Sequence, residues 1–153
     1  MKMQSGYKLM LFLAILLLGF IGVGALSWMF GKDEVVAWRQ DLEQGRKEAS
    51  ASGKRVFVDF TTKWSEPCQQ MRETTWADRR VADVLEAGYV PVKLDVDLQP
   101  VLVREYHVQT IPSLMVLDVE GRVVKSWTGE IGAEAFLKWL NSSPSTKATT
   151  MAR

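Results

Sequence analysis

The order of apolar and polar positions divides the chain into one long uncharged run and a mixed segment that follows it. Residues 9–30 carry no charged side chain, and Ser27 is their one clearly polar residue. As a helix rising 1.5 Å per residue, this run would extend about 33 Å, enough for a bilayer hydrocarbon core of about 30 Å. The pattern predicts a transmembrane helix at 9–30, with residues 1–8 as a short cytoplasmic N-terminus.

A cleaved signal peptide is the alternative interpretation of this run. A signal-peptide core usually spans 7–15 apolar residues, so the length favours an uncleaved anchor. Val23-Gly24-Ala25 nevertheless offers the small residues that a signal peptidase prefers. Lys2 and Lys8 precede the run, but basic residues also follow it, so the charge rule alone does not set the orientation.

Beyond the run, the apolar spacing alternates between helical and strand periods. Short β-branched and aromatic runs predict strands, and two of them separated by helical sequence predict a parallel pair. Two later strands flank Glu120-Gly121, which predicts an antiparallel hairpin with a two-residue turn. We therefore expect an α/β domain with a central mixed sheet flanked by helices. The predicted elements are helices at 33–52, 66–76, 78–87, 101–106 and 133–140, and strands at 55–60, 89–96, 113–119 and 122–127. We expect Val36 on the buried side of the first helix, Asp78 as the cap of the third helix and a positive φ at Gly121. Core or rim packing is the expected role of Trp76, Trp127 and Trp139.

Composition limits the candidate functions without choosing one. The chain has 153 residues and a formal net charge of +1, which gives no indication of nucleic-acid binding. Its length suits one domain, at 33–140, with a polar tail at 141–153 that we expect to be disordered. Cys68 is the single cysteine, so no intramolecular disulfide can form. With His107 the only histidine, we expect no metal site.

The most informative motif is Trp64-Ser65-Glu66-Pro67-Cys68, which resembles a Trp-Cys-x-x-Cys redox motif with serine at the first cysteine position. Pro67 suits the first turn of a helix, which places Cys68 in that turn. The segment Val58-Asp59-Phe60 precedes Trp64 at the spacing found in thioredoxins. Two further stretches match thioredoxin landmarks in the same order: 106–113, which contains Pro112, and 125–129, which ends at Gly129.

On these residues the chain resembles the thioredoxin-like superfamily over about 33–140. Within it, the segments 68–71, 73–78 and 92–97 are most similar to the periplasmic thioredoxin-like domains of the bacterial thiol:disulfide interchange protein family. The resemblance implies a thioredoxin-like fold, no cofactor, and cysteine-containing exported proteins or a redox protein as partners. It also implies a domain in the periplasm, either held at the inner membrane by a single span or secreted if the span is cleaved.

The resemblance also assigns roles to individual residues. Position 65 is that of the attacking cysteine, and Cys68 is the resolving thiol. Asp59 would be a buried acid with a raised pKa that accepts a proton from that thiol. Pro112 would follow a cis peptide bond and, with Trp64, Thr110 and Ile111, would form the surface that binds an extended peptide.

Ser65 interrupts the chemistry that this motif normally performs. A serine hydroxyl is not ionised at neutral pH and forms no reversible bond to sulfur, so attack from position 65 is lost. Three interpretations of Cys68 are open: a small buried core residue, a working monothiol, or the remaining half of a site whose ordinary form has cysteine at position 65. The first functional hypothesis is therefore a thiol:disulfide interchange protein restricted to monothiol chemistry. The second is a redox-inactive thioredoxin-like module that binds peptides or acts as a chaperone.

Overall fold

The computed structural model describes residues 33–143, which form a four-stranded mixed sheet with helices on both faces. The strands lie in the order β2-β1-β3-β4; β1 is parallel to β2 and antiparallel to β3, and β3 is antiparallel to β4. This confirms the predicted sheet class and both predicted pairings. The elements are α1 (Leu42–Ser52), β1 (Arg55–Thr61), α2 (Glu66–Glu73), α3 (Arg79–Gly88), β2 (Tyr89–Asp95), α4 (Pro100–Glu105), β3 (Ser113–Leu117), β4 (Val123–Thr128) and α5 (Ala133–Asn141).

Strand β1 lies at the centre of the core because six of its seven residues are buried. Its side chains alternate between two apolar clusters on opposite faces of the sheet. We call the first the α5 face; it contains Phe57 together with residues of α2, α3 and α5. We call the second the α1 face; it contains Val56, Val58 and Phe60 together with residues of α1.

Tryptophans pack in and around the α5 face, as predicted for Trp76, Trp127 and Trp139. Trp76 is 1% exposed, and its ring lies edge-on to Phe136 with centroids 5.2 Å apart. Trp127 and Trp139 contact each other at 6.4 Å. Packing against neighbouring rings therefore explains the positions of these three tryptophans.

The prediction of a helix over 33–52 is wrong in its first half, because the helix begins only at Leu42. Asp41 has extended backbone angles and caps the helix by accepting a 2.7 Å hydrogen bond from the Gln44 amide. Upstream, Arg39 forms a parallel bridge with Val92 at the edge of β2. Pairing with this strand replaces the helical hydrogen bonds, although Val36 is buried as predicted.

The prediction of a two-residue turn between β3 and β4 is also wrong, because the strands end at Leu117 and resume only at Val123. The Asp118 carboxylate accepts hydrogen bonds from the Glu120 and Arg122 amides, which satisfies the backbone of a wider loop. Gly121 has a φ of 84°, so glycine does occupy a left-handed position there as predicted.

Strand register brings three chain segments to one edge of the sheet. Thr61 at the end of β1 pairs with Asp95 at the end of β2, and Phe60 pairs with Ser113 at the start of β3. The loops that follow β1 and β2 and the loop that precedes β3 therefore meet at this edge.

Three predicted segments lie outside the described residues: the N-terminus at 1–8, the transmembrane run at 9–30 and most of the tail at 141–153. Within 33–143, no helix has both the length and the apolar character needed to cross a membrane.

Candidate thiol site at the end of the central strand

The motif loop leaves β1 at the shared sheet edge and exposes its tryptophan. Trp64 is 69% exposed, and its indole N–H donates a 2.8 Å hydrogen bond to the Asp97 carboxylate in the loop after β2. Because this bond joins the loops that follow β1 and β2, the ring is held over the edge despite its exposure.

Ser65 occupies the N-cap position of α2 but caps the helix with its backbone alone. Its carbonyl accepts the Gln69 amide at 3.0 Å, whereas its side chain makes no capping bond. Its own amide donates to the Thr62 hydroxyl at 3.2 Å. At 8% exposure, the residue is nearly enclosed. A cysteine at this position would therefore lose no capping hydrogen bond relative to serine.

Cys68 lies in the first turn of α2, as predicted, and points into the protein. Pro67 precedes it within that turn, where a missing backbone N–H costs no helical bond. Cys68 and Met71, three residues later, are the buried residues of α2, and Met71 packs in the cluster on the α5 face. The thiol residue is 1% exposed, so a partner disulfide reaches it only if the loop or helix moves.

Asp59 is buried on the same side of the sheet as Cys68. It follows Phe57 by two residues in β1, which places its side chain on the α5 face. It is 1% exposed, and its Oδ1 accepts no hydrogen bond from any residue between 33 and 143. Burial raises the pKa of Asp59 from 3.8 to about 7. A raised pKa was expected of this residue, while its part in catalysis stays a prediction.

Charged neighbours modify this effect of burial. The Lys93 ammonium group lowers the pKa of Asp59 and the Glu34 carboxylate raises it; a hydrogen bond from the Trp76 side chain and the charge of Arg72 both lower it. Burial outweighs the cations because an aspartate enclosed in apolar surroundings loses most of its hydration.

Sequence reasoning missed Lys93 and Glu34 as charged neighbours of Asp59. The signal for Lys93 was available, since it is the polar residue within Val92-Lys93-Leu94 in a strand predicted to lie parallel to β1. The structure pairs Lys93 directly with Asp59. Glu34 could not have been found, because it was assigned to a helix.

The proline loop reaches the same edge from β3. The Ile111–Pro112 peptide bond is cis, as predicted. Pro112 is buried, Ile111 is half-buried and Thr110 is exposed, while the Pro112 carbonyl accepts the Gly129 amide at 2.8 Å. The predicted peptide-binding residues are thus placed on the loops of one sheet edge. Their role in peptide binding stays a prediction.

His107 follows α4 and is exposed, with a left-handed backbone φ of 53°. Between residues 33 and 143, no cluster of three or more histidine, cysteine, aspartate or glutamate side chains is arranged to hold a metal ion.

Comparison with known proteins gives a consistent result. Residues 37–119 match the family model described as thioredoxin-like. A thioredoxin of Mycobacterium tuberculosis is 36% identical over 93 residues, which cover 60% of this chain and 75% of that protein. The thiol:disulfide interchange protein DsbD of Campylobacter jejuni is 29% identical over 102 residues, covering 64% of this chain but 18% of that protein.

A solved structure agrees with these sequence matches. The solution structure of a thioredoxin from Thermus thermophilus superposes with a TM-score of 0.61 at 28% identity, covering 67% of this chain and 82% of that one. Several curated relatives are much longer proteins, of whose length this chain spans only 18–24%.

Proposed function

The chain belongs to the thioredoxin-like family and has a domain of the thiol:disulfide oxidoreductase type, and on that premise we propose that it performs the monothiol half of disulfide exchange through Cys68. The observation that carries this proposal is the buried carboxyl group of Asp59, on the same side of the sheet as the thiol. A carboxyl group with a pKa of about 7 is partly ionised at neutral pH and can accept a proton that a buried thiol must lose.

The proposed step balances without a cofactor. Asp59 accepts the proton of Cys68, and the resulting thiolate attacks one sulfur of a substrate disulfide. A bond forms between Cys68 and that sulfur while the substrate S–S bond breaks, and the departing sulfur leaves as a thiolate that takes up a proton. A second thiol, from the substrate or from a small-molecule thiol, must then attack the mixed disulfide, because Ser65 supplies no sulfur.

The substrate in this proposal is an extended segment of a cysteine-containing exported protein, or the disulfide of a redox partner. The surface formed by Trp64, Thr110, Ile111 and Pro112 would bind it, since these residues lie on loops that meet at one sheet edge. Main-chain groups of an extended peptide could pair with such a surface.

The proposed location is the outer side of the bacterial inner membrane, with the domain in the periplasm. The uncharged run at 9–30 supports this as a single membrane span, or as a signal segment that is removed. The similarity to a protein named thiol:disulfide interchange protein DsbD supports export, because disulfide exchange on structural cysteines belongs to oxidising compartments.

A second candidate function rests on two observations at the same site. Ser65 lacks the attacking sulfur, and Cys68 is 1% exposed, as an inert core cysteine would be. A redox-inactive module that binds peptides or acts as a chaperone would keep the peptide surface and need no thiol chemistry.

One experiment separates the two functions. The rate at which Cys68 reacts with a small disulfide probe is measured from pH 5 to 9 in the native chain. Insulin-type disulfide reduction is measured for the native chain and for Ser65→Cys. We expect the native chain to form the mixed disulfide slowly, and Ser65→Cys to turn over catalytically when dithiothreitol is supplied as the reductant. Turnover should vanish in the matched double variant Ser65→Cys/Cys68→Ala. An unreactive Cys68, together with an inactive Ser65→Cys variant that is folded, would favour the binding module.

A further inference from the structure

Lys93 is bonded to a partner other than its cross-strand neighbour. Its ammonium group donates a hydrogen bond to the Glu34 carboxylate and forms an ion pair with it. The two side chains are only 13% and 21% exposed, and the Lys93 nitrogen lies 4.5 Å from the centre of the Trp38 ring. The pair is therefore largely removed from water. Breaking it should cost more free energy than breaking a surface ion pair.

Asp59 lies within reach of Lys93 but does not share this bond. The two residues are direct partners across the parallel strands β1 and β2, so their side chains leave the same face of the sheet. Nevertheless, in the part of the chain from 33 to 143, no ion pair joins Lys93 to Asp59, and Asp59 Oδ1 accepts no hydrogen bond.

Glu34 is held in position by the extended segment to which it belongs. The next residue, Val35, donates its amide to the Trp76 carbonyl at 2.9 Å. Further along, the Arg39 amide donates to the Pro91 carbonyl at 2.9 Å, and the Lys93 amide donates to the Arg39 carbonyl at 2.8 Å. The last two bonds fix the segment along the edge of β2, the first ties it to the residue Trp76 that follows α2, and Val36 anchors it in the core.

We propose that Glu34 is a positioning residue, whose carboxylate holds the Lys93 ammonium group away from Asp59 and so leaves the Asp59 carboxyl group without an ion-pair partner. This inference rests on the proposed function in one respect: the carboxyl group is of use to Cys68 only if the thiol reacts. An aspartate that is ion-paired with Lys93 would stay ionised at neutral pH and would be a weaker base for the thiol proton.

The charged and titratable groups around Asp59 come from three elements. Strand β2 contributes Lys93, the 33–41 segment contributes Glu34, and α2 contributes Arg72. Cys68 is buried on that same helix α2. Glu34 can act on Asp59 directly, by repulsion between carboxylates, and indirectly, by occupying Lys93. Only the indirect route requires the lysine, so removing Lys93 distinguishes the two routes.

The test is a carboxyl-carbon NMR titration of Asp59 in the full chain and in three variants. In Glu34→Gln, release of Lys93 should lower the pKa of Asp59 by about one unit or more, as an adjacent cation does. In Lys93→Met, the pKa of Asp59 should rise. In the double variant, the shift caused by Glu34→Gln should fall to less than half its size in the native background. No shift in Glu34→Gln, or an equal shift in both backgrounds, would overturn the proposal.

Two controls keep this test decisive. Glu48→Gln removes the same charge from another half-buried ion pair, that with Arg39 at 2.8 Å, and should leave the titration of Asp59 unchanged. Glu34→Asp keeps the charge but withdraws the carboxylate, so a smaller shift in the same direction is expected. Thermal melting would show whether Glu34→Asp also disrupts folding. Because the carboxyl titration does not depend on thiol reactivity, an inert Cys68 would count against the proposed function while Glu34 is judged separately.

Discussion

The two faces of β1 bury different kinds of side chain. On the α1 face, Val56, Val58 and Phe60 belong to a buried cluster of apolar residues. On the α5 face, the strand instead places Asp59 beside Phe57, with Lys93 and Glu34 nearby. Apolar packing alone would have accepted a valine or leucine at position 59, which has the same 0–1% exposure as its neighbours. A carboxylate at this position costs stability, and the proposed thiol chemistry rests on its presence on that face.

The largest effect should come from emptying the apolar α1 face. Phe60 is fully buried and lies 5.9 Å from the Tyr106 ring, so Phe60→Ala should lower the free energy of unfolding by about 3 to 5 kcal/mol. Urea unfolding would measure the loss. Phe60→Leu is the matched control and should lose clearly less. A loss below about 1 kcal/mol for the alanine variant would mean that this face is not a close-packed core.

The next effect should have the opposite sign and depend on pH. Between pH 3.8 and about 7 the unfolded chain releases the proton of Asp59 while the folded chain keeps it. The free energy of unfolding should therefore fall as the pH rises through this window, and the penalty is complete above about pH 7. Asp59→Asn removes the titration, so it should stabilise the protein by roughly 2 to 4 kcal/mol at pH 8 and have little effect at pH 4.

Thermal or urea unfolding at the two pH values measures this difference. Asp83→Asn is the control, because that carboxylate is 60% exposed in a surface ion pair with Arg79. Its effect should stay small at both pH values. An equal effect of Asp59→Asn at pH 4 and pH 8 would show that Asp59 is not buried in its protonated form.

A third effect tests how closely α1 approaches the apolar face. A Cβ atom added at Gly45 would lie 2.4 Å from Val92 Cγ2, so Gly45→Ala should destabilise by about 1 to 3 kcal/mol. Gly88 in α3 has no atom within 4 Å of such a Cβ. Gly88→Ala should therefore be neutral or slightly stabilising, which makes it the matched control in urea unfolding. Equal results for the two variants would mean that α1 moves away from β2 without cost.

The smallest effect concerns the start of the same helix. The Asp41 carboxylate accepts a 2.7 Å hydrogen bond from the Gln44 amide. Loss of this bond in Asp41→Ala should lower the free energy of unfolding by about 1 kcal/mol. Asp41→Ser provides an alternative cap and should recover most of that loss in the same unfolding experiment. If alanine were as stable as serine, the helix would not depend on this cap.

Local pattern was enough to predict most elements of this fold. The apolar spacing of β1 and β2 and the intervening helical sequence predicted their parallel pairing, and Asp78 was recognised as the cap of the helix that begins at Arg79. These features depend on neighbouring residues. The start of α1 was misplaced because Val36 is buried and Trp38 half-buried in an extended segment, whose Arg39 pairs with the edge strand β2. Apolar residues at these positions can be buried in an extended segment as well as in a helix.

The candidate site shows the same division. The sequence by itself identified three features: position 65 lacks a sulfur, Cys68 keeps a thiol, and Asp59 supplies an acid. A motif can be identified from residue type and order alone. Tertiary structure decided that Cys68 is 1% exposed, and that Lys93 is bonded to Glu34, which lies 59 positions away along the chain. Accessibility and charge pairing depend on which distant segments the fold brings together, so the spacing of residues within one segment cannot predict them.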